Sequence, residues 1–368
     1  MADRQLLRQA VGGRVKGQHF VALDGLRGVA ALAVVIYHRR WLGPHGHAFD
    51  HGFLAVSFFF ILSGFVIDHA YRDRLAEGMT LRRFLIFRAI RLYPLIAMGA
   101  LLGAAILLLL TRSVPGEYSP ILVALPFTAL ALPAPKGLLS EPFRLNPPTW
   151  SLFNELIANV VFAFVLHRLG VRALTFVAAL AGAAFITMAL QLGTINSGYR
   201  YGEIANGLIV TAAPFTIGML LNRIRSRLAG LPAIPFWLAA LLLTATFMVP
   251  DLPPSLEAPY QLALALLFYP ALILATQASE PTAKWVPIAA ASGYISFPVY
   301  ALHYPLLGLF DRAMAKLGGP AELWLCLMLL GCTIAACAAG KYMEEPVRRW
   351  LSSRLTTFRR TKVNGILR

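Results

Sequence analysis

Residues 84–110 read Phe84-Leu85-Ile86-Phe87-Arg88-Ala89-Ile90-Arg91-Leu92-Tyr93-Pro94-Leu95-Ile96-Ala97-Met98-Gly99-Ala100-Leu101-Leu102-Gly103-Ala104-Ala105-Ile106-Leu107-Leu108-Leu109-Leu110. Apart from two arginines near its start, this run of 27 residues is solidly apolar. A half-buried strand would alternate in polarity instead. At about 1.5 Å per residue a helix of this length exceeds the ~30 Å hydrocarbon core of a bilayer. The run predicts a transmembrane helix, and it is one of many. Comparable runs lie at 20–42, 52–71, 150–167, 171–192, 204–221, 233–249, 258–277, 287–310 and 320–340. Of the 368 residues, 58% are hydrophobic and only 14% charged. A soluble fold carries about 25% charge, so a water-soluble globular enzyme is excluded. Solid runs also exclude an outer-membrane barrel, whose strands alternate. The expected fold is all-α, a polytopic membrane protein of about ten transmembrane helices.

The net charge of +16 would point to nucleic acid in a soluble protein; in a membrane protein its first meaning is orientation, and no nucleic-acid partner is expected. A weak run at 119–133 holds Pro120, Pro126 and Pro133 and is short for a span. If it does not cross, the segments 1–19, 72–83, 168–172, 222–232, 278–286 and 341–368 share one side and carry 22 of the 33 Lys+Arg. The opposite segments, 39–51, 111–149, 193–203, 250–257 and 311–319, carry 8. The positive-inside rule then predicts both termini in the cytoplasm and a long Pro-rich external loop at 111–149. The division is a basic segment 1–19, a membrane domain 20–340 and a basic tail 341–368. The stretch after 1–19 carries Arg27 and His38, so it reads as a retained helix rather than a cleaved signal. Cys326, Cys332 and Cys337 share one apolar run and read as packing residues.

Ionisable groups inside spanning helices are costly and mark function. Asp24, Arg27 and His38 lie on the first helix. Arg27 and His38 are 11 residues apart, which is three turns plus 20°, so they share a face about 16 Å apart. Asp24 is placed to pair with Arg27. Arg88 and Arg91 are i, i+3 neighbours, and paired guanidinium groups suit phosphate; simple flanking charge is the other reading. Trp150 reads as an interface anchor at the start of the fourth span. Ser151, Glu155 and Asn159 continue as one stripe. The Glu155 carboxylate needs a partner, for which His38 is a candidate. His303 in the ninth span reads equally as a structural or a catalytic histidine. The loop with His45, His47 and His51 has irregular spacing, and no metal site is expected there or elsewhere.

Several of these residues fall in a known pattern. Phe20-Val21-Ala22-Leu23-Asp24-Gly25-Leu26-Arg27-Gly28 followed by His38 resembles the first helix of the membrane acyltransferase-3 family, with its basic residue, ten residues and histidine. Ser57 to Phe65 is similar to the family's Phe-rich Leu-Ser-Gly-Phe segment. Arg88-Ala89-Ile90-Arg91 matches Arg-x-x-Arg, and Trp150-Ser151-Leu152 with Glu155 matches the Trp-Ser-Leu…Glu motif. His303-Tyr304-Pro305 and Glu345-Pro346 resemble late markers of the family. The matches run from about 20 to 350 in family order. Asn154 beside the single Glu155 departs from the commoner two-acid version.

The resemblance implies O-acylation, commonly O-acetylation, of carbohydrate such as exopolysaccharide, O-antigen, Nod-type oligosaccharide or a macrolide sugar. It implies acyl-CoA as donor, an inner (plasma) membrane location, and a stand-alone form without a fused hydrolase-like domain. His38 is then the base for the attacking hydroxyl, or carries the acyl group transiently. Glu155 or Asp24 orients it. Arg27, Arg88 and Arg91 hold the CoA phosphates and line the path, and Trp150, Ser151 and His303 face the acceptor. The competing reading is a transporter or flippase, which intramembrane Arg, His and Glu also mark. Transporters show paired broken helices in two similar halves, and no such pairing stands out here.

Overall fold

The computed structural model describes residues 20–353 except 44–45, 113, 229, 231 and 280. The basic segment 1–19, the tail beyond 353 and His45 lie outside the described residues. Twelve α-helices are present among those described: α1 Val21–Tyr37, α2 Ala55–Ala76, α3 Leu81–Leu110, α4 Tyr118–Ala129, α5 Thr149–Phe164, α6 Val171–Leu192, α7 Ile204–Ile224, α8 Phe236–Met248, α9 Pro254–Ala263, α10 Tyr269–Gln277, α11 Val286–Leu317 and α12 Ala321–Ala339. No strand occurs among these residues beyond an isolated bridge between Lys136 and Leu139. A π-helical turn, Leu264–Phe268, joins α9 to α10 into one rod. Six helical stretches are long and apolar enough to cross a membrane: Gly52–Ala76, Leu81–Leu110, Val171–Leu192, Tyr201–Leu228, Pro254–Gln277 and Ala321–Ser353. Of the other four expected runs, three form helices of 17, 16 and 13 residues, α1, α5 and α8. The fourth is the 32-residue α11. The weak run 119–133 yields α4, only 12 residues and thus about 18 Å long. It packs Ile121 and Ala124 against Ala104 of α3.

Glycine sets how closely the central helices meet. A Cβ on Gly25 would lie 2.8 Å from the Ala289 methyl, and one on Gly293 would lie 2.8 Å from Asp24 Cβ. One on Gly28 would fall on the Ser292 carbonyl. Ser292 Oγ donates to Gly25 O at 2.8 Å. These are the small-residue contacts that let membrane helices pack backbone to backbone. The contacts pair low numbers on α1 with low numbers on α11, and Arg39 beyond α1 with Asp311, so the two helices run parallel. Gly64 of α2 and Gly218 of α7 likewise abut the carbonyls of Phe215 and Ile61.

Pro305 inside α11 has no N–H to offer the Ala301 carbonyl, a group that cannot stay unpaired in an apolar interior. Asn146, from the loop before α5, supplies the missing donor, its Nδ2 lying 2.8 Å from Ala301 O. Gly99 of α3 leaves the space in which the two meet.

Two clamps fix opposite ends of the bundle. At one end Arg223 donates from Nη2 to Asp68 Oδ1 at 2.7 Å and to the Leu166 carbonyl, and from Nη1 to the Leu169 carbonyl, while Asn222 holds the other Asp68 oxygen at 2.8 Å. At the other, Arg39 forks onto both carboxylate oxygens of Asp311 at 2.8 and 2.5 Å, and Asn196 donates to the Tyr37 hydroxyl at 3.0 Å. The cysteines divide: Cys332 is buried beside Met328 and Val299, whereas Cys326 and Cys337 lie exposed on the surface of α12. Packing therefore accounts for Cys332 alone.

Candidate active site

The expected intramembrane charges gather into one group. Asp24 and Arg27, one turn apart on α1, form an ion pair at 3.1 Å. Arg27 Nε donates to Ser296 Oγ of α11 at 2.9 Å. Arg88 Nη2 of α3 meets Glu155 Oε1 of α5 at 2.7 Å, and Ser63 of α2 donates to the same oxygen at 2.9 Å. Arg27 also lies within electrostatic reach of Glu155, Arg88 and Arg91. Three guanidinium groups thus face two carboxylates, and Arg91 makes no hydrogen bond or ion pair among the described residues. Exposure separates this group from the Asp68–Arg223 clamp. The clamp side chains are sealed, 0% and 1% exposed, while Asp24 and Arg27 keep 28% and 24% and Glu155 keeps 19%. A sealed pair is structural; an open group with one positive charge in excess can receive an anion.

The second group lies about 16 Å further along α1. His38 caps that helix, with its ring 5.3 Å from the ring of His303 on α11 and 5.1 Å from that of Tyr304. His303 is fully buried. Its Nδ1 lies 3.1 and 2.9 Å from the carbonyls of Val299 and Tyr300. Carbonyls only accept, so Nδ1 carries the proton and Nε2 the lone pair. That Nε2 is buried without a hydrogen-bond partner. Ser151 donates to Pro148 O at 3.0 Å and shares a 2.5 Å hydrogen bond with Tyr300 Oη. Tyr300 Oη also lies 3.4 Å from Pro148 O, so the two hydroxyls share one carbonyl and either can donate to the other. Phe59 stands edge-on to the Tyr300 ring at 5.4 Å.

Most expected residues therefore fall into two groups on the α1–α11 seam, with three differences. Glu155 is held by Arg88 and Ser63, not by His38. Asp24 is committed to Arg27 and sits 14 residues from His38, about 21 Å along the helix. Among the described residues no carboxylate is paired with His38; its ring neighbours are Tyr37, His303 and Tyr304. Third, Arg88 is bound to Glu155, which leaves Arg91 as the uncommitted member of the arginine pair. Trp150 packs against Gly198 and the core cluster that includes Tyr300. Asn159, one turn beyond Glu155, is buried with neither amide atom partnered. In the loop after α1 His47 pairs with Asp50 and His51 with Glu257, and no group of three potential metal ligands occurs among the described residues. Ser63, Asn146, Ser296, Tyr300 and Tyr304 are further members of the site. The signal for Tyr300 and Tyr304 was their place between Pro298 and Pro305.

A family profile described as an acyltransferase domain matches residues 20–340, spanning both groups. The chain belongs to the acyltransferase-3 family. Acyltransferase MdmB of Streptomyces mycarofaciens is 27% identical to it over 371 aligned residues, 90% of this chain and 92% of that protein. Protein 2 in the picA locus of Rhizobium radiobacter is 41% identical over 168 residues, 42% of this chain and 85% of that one. A Staphylococcus aureus protein whose name designates it an O-acetyltransferase is 35% identical over 99 residues, 26% of this chain and 15% of its own length. No solved structure matches. This acyltransferase is a multi-pass helical membrane protein with its ionisable residues drawn together in the bundle.

Proposed function

We propose that the protein is an inner-membrane O-acyltransferase that moves an acyl group, acetyl in the first instance, from acyl-CoA to a carbohydrate hydroxyl. One observation carries the reading: a basic, anion-ready group and a histidine pair occupy the two ends of one helical seam. Arg27 and Arg91 bind the donor phosphates, and the arm of the donor runs the ~16 Å to His38. His38 takes the proton of the acceptor hydroxyl as its oxygen attacks the thioester carbonyl carbon. The new C–O bond forms, the C–S bond breaks, and the proton passes to the departing sulfur, giving ester and CoA thiol. His303 Nε2 accepts a hydrogen bond from the acceptor. Buried polar atoms nearly always have partners; those of His303, Asn159 and Arg88 that lack one support a polar ligand between them. The staphylococcal relative's name favours acetyl and oxygen.

Ten spans with both ends cytoplasmic fit this scheme. Seven expected spans separate α1 from α11, an odd number that makes the two parallel, as they are; counting 119–133 as an eighth would make them antiparallel. The test of function is acetyl transfer by the full chain in nanodiscs, read as CoA release, beside mass spectrometry of surface glycans from a deletion strain. His38→Ala is expected to lose about 10²–10⁴-fold in rate while keeping its melting temperature. A folded His38→Ala protein that transfers at the native rate would refute the role.

A further inference from the structure

At the end of the bundle marked by the Asp68–Arg223 clamp lies a cavity of about 490 Å³, lined by Arg72, Asp73, Leu75, Ala76, His167 and Arg168. The last turn of α2 and the turn between α5 and α6 form it, and both belong to segments expected in the cytoplasm. Neither the Arg72 nor the Arg168 side chain has a hydrogen bond or ion pair among the described residues. His167 Nδ1 is 3.0 Å from Phe162 O, so Nδ1 carries the proton and Nε2 is left as an acceptor. The lining therefore offers two uncommitted guanidinium groups, a histidine acceptor and one carboxylate, in a volume typical of small-molecule sites.

Packed rings lie between the cavity and the arginine group. His167 lies 6.1 Å from Phe162, Phe162 5.8 Å from Phe84, and Phe84 5.0 Å from Tyr71, the neighbour of Arg72. Phe84 is one helical turn from Arg88, and Tyr71 is within electrostatic reach of that arginine. The molecule thus has two basic stations in series, then the histidine pair. Acyl-CoA has the matching order of parts: a 3′-phosphorylated adenosine, a pyrophosphate, and an uncharged arm ending in the thioester.

We infer that the Arg72–Arg168 cavity takes the 3′-phosphoadenosine end of the donor. This rests on acyl-CoA being the donor, as proposed above. Arg72 and Arg168 hold the 3′-phosphate, and Asp73 and His167 Nε2 accept from the adenine amino group or the ribose hydroxyl. The pyrophosphate then falls to Arg27 and Arg91. A site of this kind makes the enzyme discriminate CoA from its 3′-dephospho form, which the deeper station alone would not do.

The experiment measures the Kd of CoA and of 3′-dephospho-CoA on the full chain in phosphatidylcholine nanodiscs, for the native protein, Arg72→Gln and Arg168→Gln. The native protein is expected to bind CoA about tenfold more tightly than dephospho-CoA, the scale of one charge-assisted phosphate contact. Each variant should bring that ratio toward one by weakening CoA alone. Equal native affinities, or a ratio that both variants preserve, overturn the cavity assignment and leave the donor reading standing. Binding of neither ligand overturns the donor reading and this inference with it. Both arginines are unpaired, so their replacement leaves no buried charge behind, and an unchanged Kd for dephospho-CoA confirms that the variants fold.

Discussion

A methyl group added at Gly293 probes the seam on which both halves of the site depend. Its carbon would lie 2.8 Å from Asp24 Cβ and 2.9 Å from Asp24 O, where ordinary contact begins at 3.4 Å. The obstacle is backbone and Cβ, which no side-chain rotation can move away. The helices must part there by about 0.6 Å, and the 2.9 Å hydrogen bond from Arg27 to Ser296 would lengthen to about 3.5 Å, past the useful range. A 1 Å misplacement costs about 10²-fold in rate. Gly293→Ala should therefore lose about tenfold in transfer rate, or ~1.4 kcal/mol, with a stability cost of about 1–3 kcal/mol from overpacking. Gly28→Ala, whose Cβ would fall on the Ser292 carbonyl, should lose more than 100-fold by the same scale. Gly182 of α6 has open space around its Cβ, and Gly182→Ala should keep full rate and gain up to about 1 kcal/mol. The assay is transfer rate under saturating donor together with thermal unfolding in nanodiscs. Native rates for Gly28→Ala and Gly293→Ala, both folded, would refute the idea that close approach of α1 and α11 positions the chemistry.

Two further outcomes follow from the polar interior. Asn146→Ala leaves the Ala301 carbonyl unpaired at a cost of about 1–3 kcal/mol. Adding Pro305→Ala, which restores an N–H for that carbonyl, should recover part of the loss; a melting temperature for the double variant no higher than that of Asn146→Ala would refute the pairing. Asp68→Ala strands the sealed Arg223 charge and should cost about 3–5 kcal/mol, whereas Asp68→Met with Arg223→Met should cost much less. Additive losses in that cycle would show that the two residues do not act as a clamp.

What the sequence revealed of this site follows the reach of helical periodicity. Asp24, Arg27 and His38 share one helix, so their spacing alone predicted the ion pair and the common face, and both are present. The partner of Glu155 depended on how α2, α3 and α5 meet, and there the expected histidine gave way to Arg88 and Ser63, 67 and 92 residues away in the chain. Register between helices is set by where glycines admit a neighbouring backbone, as at Gly28 and Ser292, and no single-helix pattern carries that information. The carboxylate expected to orient His38 failed for the same reason: Asp24 is on the correct helix but spent on its own neighbour one turn away. Tyr300 escaped notice because its pairing with Ser151 spans 149 residues. The apolar runs were legible as helices, since solid apolarity needs no knowledge of partners, and six of them form helical stretches long and apolar enough to cross a membrane. The short α4 shows where that reading reaches its limit: a weak run with three prolines gives a helix of only 12 residues that runs through Pro126.

The seam between α1 and α11 also imposes an order on biosynthesis. Gly28 and Ser292 are separated by 264 residues, which a ribosome adding about 5–20 residues per second needs roughly 13–50 s to make. During that interval the first helix has entered the bilayer with Asp24, Arg27 and His38 on a face whose eventual neighbour does not exist. Mutual pairing of Asp24 and Arg27 on the same helix lets it wait, because these two charges cancel before any other helix arrives. A nascent chain arrested before α11 would hold every arginine of the basic group yet lack the wall formed by Ser296 and His303. The polar seam is thereby closed only once α11 has been made.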